Sequence, residues 1–224
     1  MNLETLNQEI IVCRKCPRLV AWREQVAREK RRAYKDQEYW GKPVPGFGDP
    51  QARIFIIGLA PGAHGSNRTG RQFTGDASGG FFYPALYRAG LANQPNASAR
   101  DDGLMLTDAY TAPVCRCAPP DNKPNSLEMN SCQPFLESEL ALIKPRVIVV
   151  LGRIAFESIL RIYSLRDKSW KFSHNAVFEM EHGPSLVCSY HPSQQNTQTG
   201  RLTPAMFDLV WQTALALLND HRPG

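Results

Sequence analysis

The sequence lacks any run of about 18 apolar residues, the length that a membrane-spanning helix needs. It also lacks the basic start and apolar core of a signal peptide, since it begins MNLETLNQEIIVCRKC. We therefore expect no membrane partner and a cytoplasmic location. In that reducing compartment the six cysteines are expected to bind a metal or take part in catalysis before they form disulfides.

Internal repeats and low-complexity tracts are also absent, and the overall charge is small. The 224 residues carry a net charge of +5, an isoelectric point of about 8.9 and 42% hydrophobic residues. This composition is typical of an ordered globular protein. The length predicts a single domain over residues 1–224, with a core that folds without cross-links, and we expect a monomer.

Positive charge is concentrated in one short segment near the amino terminus. Its basic residues are Arg23, Arg28, Lys30, Arg31, Arg32 and Lys35. Such a cluster is typical of a surface that binds an acidic partner. A solvated helix face is the alternative, because Glu24, Glu29 and Asp36 are interleaved with it.

Four short apolar runs predict β-strands, and the segments between them predict helices. The expected strands are Ile54–Ile57, Leu104–Leu106, Val147–Leu151 and Leu186–Ser189. Runs this apolar suit a parallel sheet that is covered on both faces. Helices are expected over 2–36 with a break near Cys16–Pro17, and over 81–89, 132–143, 154–163 and 204–218. The alternation of strands and helices predicts an α/β fold.

The most informative segment, GLAPGAHGSNRTGRQFTGD at 58–76, directly follows the first predicted strand. Ligand sites of open α/β sheets lie beyond the carboxyl ends of their strands. The glycines allow a ligand to approach the backbone closely, and Arg68, Arg71 and backbone amides suit phosphate. Phe73 offers a flat face to a base, and Asp76 is a lone carboxylate. The alternative is a purely structural loop, which does not require so many polar side chains.

A second polar segment, YHPSQQNTQTGR at 190–201, follows the last predicted strand and is expected at the same sheet edge. Pro192 restricts the backbone after His191. A histidine held in this way can donate a hydrogen bond to developing negative charge, although a lone histidine is more often structural. The polar side chains that follow suit phosphate contacts.

Four of the six cysteines have a spacing that is typical of a metal site. They are Cys13 and Cys16 in C-x2-C, and Cys117 and Cys132 in C-x14-C. Four thiolates could hold zinc or an iron–sulfur cluster, and the spacing does not choose between them. Cys115 is an alternative ligand to Cys117, and unrelated thiols are the simplest alternative.

Together these motifs resemble the uracil-DNA glycosylase superfamily, and most closely its family 5, the B-type enzymes of some bacteria and archaea. The resemblance extends from CRKC at 13–16 to the closing helix and includes the segment CAPPDNKP at 117–124. It implies an α/β fold of three layers, with a four-stranded parallel sheet between helices. It also implies a structural [4Fe–4S] cluster held by Cys13, Cys16, Cys117 and Cys132.

The activity that the resemblance implies is hydrolysis of the N-glycosidic bond of uracil in DNA, which leaves an abasic site for base excision repair. The target base must first be flipped out of the stack. Phe73 would stack on the flipped base, and Gly58 and Ala60 would line its pocket. His191 would hydrogen-bond to the carbonyl oxygen of the leaving base, while a water attacks the sugar carbon.

Two positions depart from the related family 4. Where that family has Glu within G-E-A-P-G, this sequence has Leu59, which cannot position a water. We expect Asp76, or as second candidate Asn122, to do so. Where family 4 has an Asn that reads the uracil edge, this sequence has Pro113, so we expect a broader range of deaminated or damaged bases.

DNA binding is expected to be largely electrostatic. The candidate contacts, besides Arg28–Lys35, are Asn67, Arg68, Arg71, Ser193, Gln195, Asn196 and Arg201.

Two other functions stay open at this point. One is a phosphate-handling hydrolase, although this sequence has neither a GxxxxGK[ST] loop nor the paired carboxylates of a metal site. A catalytically weak or inactive, metal-stapled DNA-binding module is compatible with Leu59.

Overall fold

Six β-strands, of which four are buried, form the centre of the computed structural model, which describes residues 2–165 and 169–219. The strands are β1 (Phe47–Gly48), β2 (Ile54–Gly58), β3 (Ala109–Pro113), β4 (Val147–Leu151), β5 (Val177–Phe178) and β6 (Ser185–Ser189). The helices are α1 (Leu3–Ile11), α2 (Pro17–Glu29), α3 (Ser66–Thr69), α4 (Gly79–Arg88), α5 (Ser126–Ile143), α6 (Arg153–Ile162), α7 (Gln194–Gln198) and α8 (Pro204–Asn219). Short 3-10 turns lie at Arg32–Tyr34 and Pro120–Asn122.

The strands form one sheet in the order β1-β3-β2-β4-β6-β5. The inner strands β3, β2, β4 and β6 pair in parallel, whereas β1 and β5 pair antiparallel at the two edges. The α/β class is confirmed, but the prediction of a four-stranded parallel sheet is wrong. The sheet is six-stranded and mixed, because two edge strands of only two residues each are too short to produce an apolar run.

Three predicted strands are confirmed to within one residue, and the fourth is wrong. Leu104–Leu106 forms no strand, although Leu106 makes an isolated bridge with Ala92. The strand begins instead at Ala109, after Asp108 turns the chain with a left-handed φ of 56°. The side chains of Leu104 and Leu106 are buried in the core beside the sheet, which explains why this apolar run is not a strand.

Helices cover both faces of the sheet, so three layers result. Side chains alternate along a strand: Ile54 and Ile56 of β2 face the layer of α4 and α8, while Phe55 and Ile57 face the layer of α5 and α6. In the described part of the chain, no helix is long and apolar enough to cross a membrane.

The predicted helices form, with different ends. The amino-terminal helix 2–36 is two helices, because Pro17 occupies the first turn of α2, and α2 already ends at Glu29. Helix α5 begins six residues before the predicted Cys132. Its start is set by a capping box, in which Asn125 and Glu128 each accept a backbone N–H from the other.

Candidate active site

A cavity of about 740 Å³ opens at the carboxyl edge of the parallel strands. Three segments that follow parallel strands line it: the loop after β2, the 3-10 turn after β3 and the loop after β6, and Arg31 and Tyr34 of the basic segment complete the wall. They meet because the carboxyl ends of parallel strands share one edge of the sheet. The predicted site residues in its walls are Ala60, Phe73, Asp76, Asn122, His191, Ser193 and Gln195.

Phe73 contributes an aromatic wall to the cavity. Its ring stacks on Phe82, with centroids 4.3 Å apart, and its centroid lies 5.9 Å from that of His191. Phe73 has a φ of 53°, a conformation that bulky residues rarely adopt. Gly79 packs against its carbonyl so closely that a Cβ there would lie 1.8 Å from the oxygen. The ring is therefore held rigidly, with its position determined by the surrounding packing.

His191 stands beside Phe73 and is neutral at pH 7. Burial lowers the pKa of its imidazole to about 4. Asn196 donates from Nδ2 to the His191 carbonyl oxygen at 2.9 Å, which holds the loop in place. A neutral imidazole still carries one N–H, so His191 can donate a hydrogen bond without placing a positive charge in the cavity.

The Asp76 carboxylate lines the cavity and is held by the backbone. Its Oδ1 accepts a hydrogen bond from the Gly79 N–H at 2.9 Å. Its Oδ2 fills the space that a side chain at Gly65 would take, because a Cβ there would lie 2.0 Å from this oxygen. Burial raises the pKa of the Asp76 carboxyl, against a smaller lowering by backbone N–H groups and by Arg68.

Two of the other predicted site residues differ in their relation to the cavity. Asn122 lies at its exposed rim, in a left-handed conformation with φ 55° that asparagine tolerates. Gly58 is not among the residues that line it, and the contact of Gly58 with the base stays a prediction. A Cβ at Gly58 would lie 2.6 Å from Gln72 Nε2 and 3.0 Å from Phe73 Cζ, so this glycine makes room for those two side chains.

Asn67 and Arg71 are buried inside the glycine-rich loop, which leaves their side chains little surface for the predicted contact with DNA. Asn67 is completely buried and donates from Nδ2 to the Arg23 carbonyl oxygen. Arg71 is only 3% exposed and forms an ion pair with Asp102 at 2.7 Å. Asn67 thereby ties the loop to α2, and Arg71 ties it to the segment that contains Asp102.

Arg68 is likewise mostly buried, which leaves its guanidinium little surface for the predicted contact with phosphate. It is 8% exposed, donates to the carbonyl oxygens of His64 and Gly75 at 2.8 Å each, and lies 4.0 Å above the Tyr34 ring. Arg68 thereby links the loop after β2 to the 3-10 turn at Arg32–Tyr34.

Other polar side chains remain exposed around the cavity. Gln195 and Arg201 are exposed, and Ser193 is half-buried at the start of α7. Arg201 lies 4.7 Å above the Tyr190 ring. Within the basic segment, Arg31 lines the cavity.

Sequence reasoning missed two residues at this edge of the sheet. Gln72 lines the main cavity, and Arg153 shares a smaller cavity of about 240 Å³ with Arg201 and His191. Arg153 follows β4 directly, so its position at a strand end could have identified it. For Gln72, no signal in the sequence shows whether its side chain faces the cavity or the solvent.

The four predicted cysteine ligands converge on one place. Together they line a small cavity between the amino-terminal helices and α5: Cys13, Cys16, Cys117 and Cys132. Cys115 is not in its lining, although it is buried next to Cys132. Among the residues that the structure describes, no group of three or more His, Cys, Asp or Glu side chains is arranged to hold a single metal ion.

Two buried guanidinium groups adjoin this cysteine cavity. Arg23, which the charge pattern assigned to the surface cluster, is 2% exposed and donates from Nη1 to Cys117 Sγ at 2.9 Å. Arg116 is buried, lines the cavity and pairs with Glu139. In the described structure the Nε atoms of both arginines are buried without a hydrogen-bond acceptor. Buried cations of this kind favour an anionic group nearby.

The fold and the cavity define a class of protein. An aromatic wall, a neutral histidine and a half-buried carboxylate at the carboxyl edge of a parallel sheet form a site for a planar ring, with groups suited to hydrolysis. The family model described as "Uracil DNA glycosylase superfamily" matches residues 45–215, and the chain belongs to this superfamily.

Its relatives place the chain within the superfamily. It is 53% identical to the type-5 uracil-DNA glycosylase of Thermus thermophilus over 208 residues, which cover 92% of this chain and 94% of that protein. It is 51% identical to the Mycobacterium leprae type-5 protein over 220 residues, 96% of each chain. It is 43% identical to the Pyrobaculum aerophilum type-5 protein over 207 residues, 92% of this chain and 89% of the relative. The predicted resemblance to family 5 is thereby confirmed.

Proposed function

We propose that the protein is a monofunctional DNA glycosylase, which hydrolyses the bond between uracil and deoxyribose and leaves an abasic site for base excision repair. The observation that carries this proposal is that Phe73, His191 and Asp76 line one cavity. A flipped base occupies such a cavity by stacking on the aromatic ring.

His191 acts on the leaving base. As the glycosidic bond breaks, its electron pair moves onto the base, and negative charge grows on the carbonyl oxygen nearest the bond. The neutral imidazole donates a hydrogen bond to that oxygen. The low pKa of His191, about 4, supports a role as a hydrogen-bond donor rather than as an acid that transfers a proton at pH 7.

Asp76 acts on the other half of the transition state. The sugar carbon becomes positively charged as the base departs, and a carboxylate stabilises this charge and orients the attacking water. Because Oδ1 is occupied by the Gly79 N–H, Oδ2 is the oxygen that accepts a hydrogen bond from the water. Leu59 lines the same cavity and offers no polar atom for this work.

The direct test is incubation with a duplex that contains one uracil, followed by alkali to break the strand at abasic sites. We expect cleavage at the uracil and none in the matched duplex that contains cytosine. Binding without cleavage would support the alternative, an inactive DNA-binding module, which the type-5 relatives do not favour.

Asp76→Asn should lower the single-turnover rate of uracil release by about 100-fold or more, because the amide keeps the size but loses the charge. Since burial raises the pKa of this carboxyl, the wild-type rate should fall, as pH decreases, at a higher pH than an ordinary aspartate would give. The rate of the Asp76→Asn variant should not show this decrease at low pH. Asn122→Ala is the matched comparison: a loss there with a normal Asp76→Asn rate would assign the water to Asn122.

We further propose that DNA phosphates contact the exposed and half-exposed polar residues around the cavity. Those that support this are Arg31, Arg153, Ser193, Gln195 and Arg201. Asn196 is half-buried and holds the His191 carbonyl, so its contribution is to position the loop.

Affinity for duplex DNA should decrease as salt rises, with a slope set by the number of neutralised phosphates. Arg201→Ala should reduce that slope by about 1 and weaken binding to all sequences similarly, because phosphate contacts carry no base identity. Arg146→Ala is a suitable control, since it removes the same charge next to β4 at the opposite edge of the sheet. An affinity independent of salt, or an equal effect of both variants, would contradict the proposal.

A [4Fe–4S] cluster held by Cys13, Cys16, Cys117 and Cys132 is also proposed. Two observations support it: all four thiols line one cavity, and two buried arginines beside it have unpaired Nε atoms. A cluster is wider than one ion, so its ligands need not lie close enough to hold a single metal. When bound, it would cross-link the amino-terminal helices to the sheet domain. The predictions of a single domain, a monomer and a cytoplasmic location stay predictions.

A further inference from the structure

One polar side chain in the cavity has no role in the steps above. Gln72 lines the cavity next to Phe73, yet it is only 2% exposed. Burying an amide is costly unless both of its ends are hydrogen-bonded. The partners of its two ends therefore show what the cavity is built to accept.

The oxygen end of the Gln72 amide is already paired. Thr111, fully buried on β3, donates from Oγ1 to Gln72 Oε1 at 2.8 Å. The backbone is held as well, because Tyr83 donates from its hydroxyl to the Gln72 carbonyl at 2.7 Å. The side chain is thus oriented with its nitrogen away from Thr111.

The nitrogen end remains available. Within the described part of the chain, Gln72 Nε2 makes no hydrogen bond to protein, and it lies in the space beside Gly58 that it shares with the edge of the Phe73 ring. Pro113, which pairs with Gly58 in the sheet, offers no side-chain donor. Nε2 is therefore an unpaired donor, on a side chain that is only 2% exposed, next to the ring on which a base would stack.

A fixed donor at this place distinguishes bases by chemistry. Deamination replaces the exocyclic amine of cytosine or adenine with a carbonyl, and so turns a hydrogen-bond donor into an acceptor. The oxygen that His191 addresses is present in both cytosine and uracil, so His191 cannot tell them apart. A donor that meets the second carbonyl can, because an amine in its place would leave two donors facing each other without an acceptor.

We propose that Gln72 Nε2 donates a hydrogen bond to the carbonyl oxygen that deamination creates, and thereby selects uracil over cytosine. This inference rests on the proposed glycosylase function. It makes Gln72 a specificity-determining residue for that reaction, with Thr111 as the residue that orients it.

The test compares the effect of one substitution in the protein on the release of two different bases. Gln72→Met keeps the length of the side chain and removes the donor, while 2-pyrimidinone in place of uracil removes the acceptor. In single-turnover assays, Gln72→Met should lower uracil release by about 10- to 100-fold. It should change 2-pyrimidinone release by less than about threefold. The different leaving abilities of the two bases cancel, because each variant is compared with wild type on the same base.

Thr111→Val serves as the second variant, and it leaves Gln72 in place. Loss of the orienting hydroxyl should give a smaller loss that is again confined to uracil. Binding to a duplex that already contains an abasic site should be unchanged in both variants. Wild-type protein that cleaves neither base would overturn the glycosylase function itself. If the wild-type protein cleaves uracil, but Gln72→Met leaves the ratio of the uracil and 2-pyrimidinone release rates unchanged, the role of Gln72 alone is overturned. If Gln72→Met fails to fold, the same comparison is made with Thr111→Val.

Discussion

His191→Ala is expected to lower the single-turnover rate of uracil release by about 100- to 1000-fold, with little change in the affinity for DNA. The imidazole N–H is held next to the stacking ring before the base enters, so it stabilises charge that appears only as the bond breaks. Removing it therefore affects the chemical step and not the encounter. Rapid-quench assays with excess enzyme measure this step, and equilibrium binding to an abasic duplex measures the affinity.

His191→Gln is the informative comparison, because an amide can donate a hydrogen bond but has no ionisation near neutral pH. We expect it to recover part of the rate. The wild-type rate should show no inflection due to His191 between pH 6 and 8, since its pKa of about 4 keeps the imidazole neutral throughout. An inflection in that range that disappears in His191→Gln would instead show that a protonated histidine is the active form.

Cys132→Ser is expected to have the largest effect on stability, with loss of iron, of sulfide and of visible colour. The four thiols come from the segment between α1 and α2, from the loop after β3 and from α5. Losing a ligand should therefore detach the amino-terminal helices, at a cost of more than about 4 kcal/mol. Iron and sulfide analysis, visible absorbance and thermal unfolding of the purified protein measure these losses together.

Cys115→Ser is the matched control for the cysteine site. Cys115 is also buried and lies beside Cys132, but it does not line the cavity, so its variant should keep its iron. Colourless wild-type protein that contains zinc would refute the iron–sulfur assignment. If Cys115→Ser loses its iron and Cys117→Ser keeps it, Cys115 is the ligand in place of Cys117.

The cysteine site and the base cavity are coupled through packing. Ala60 lines the base cavity and also packs against the cysteines. If a cysteine variant loses activity, displacement of the loop after β2 explains the loss. Such a result would not show that the proposed cluster takes part in the chemistry. This is consistent with our prediction that the cluster is structural.

Much of the site could be predicted from the sequence because its placement follows from local patterns and one topological rule. Apolar runs identify β2, β4 and β6, and the carboxyl ends of parallel strands share an edge. Phe73, Asp76 and His191 follow such ends, so the cavity they line is expected from their order alone. The C-x2-C and C-x14-C spacings likewise anticipate the shared cysteine cavity.

The tertiary structure alone decided which polar side chains face a ligand and which hold the protein together. Arg71 and Arg201 both follow a strand in polar segments, yet Arg71 is buried against Asp102 and Arg201 is exposed. Gln72 keeps its nitrogen unpaired in the described structure because Thr111, on another strand, takes its oxygen. Burial and hydrogen-bond partners depend on residues far away in sequence, so no local pattern contains them. The sequence determined where the site lies, and packing between distant segments determined which of its polar groups are free to act.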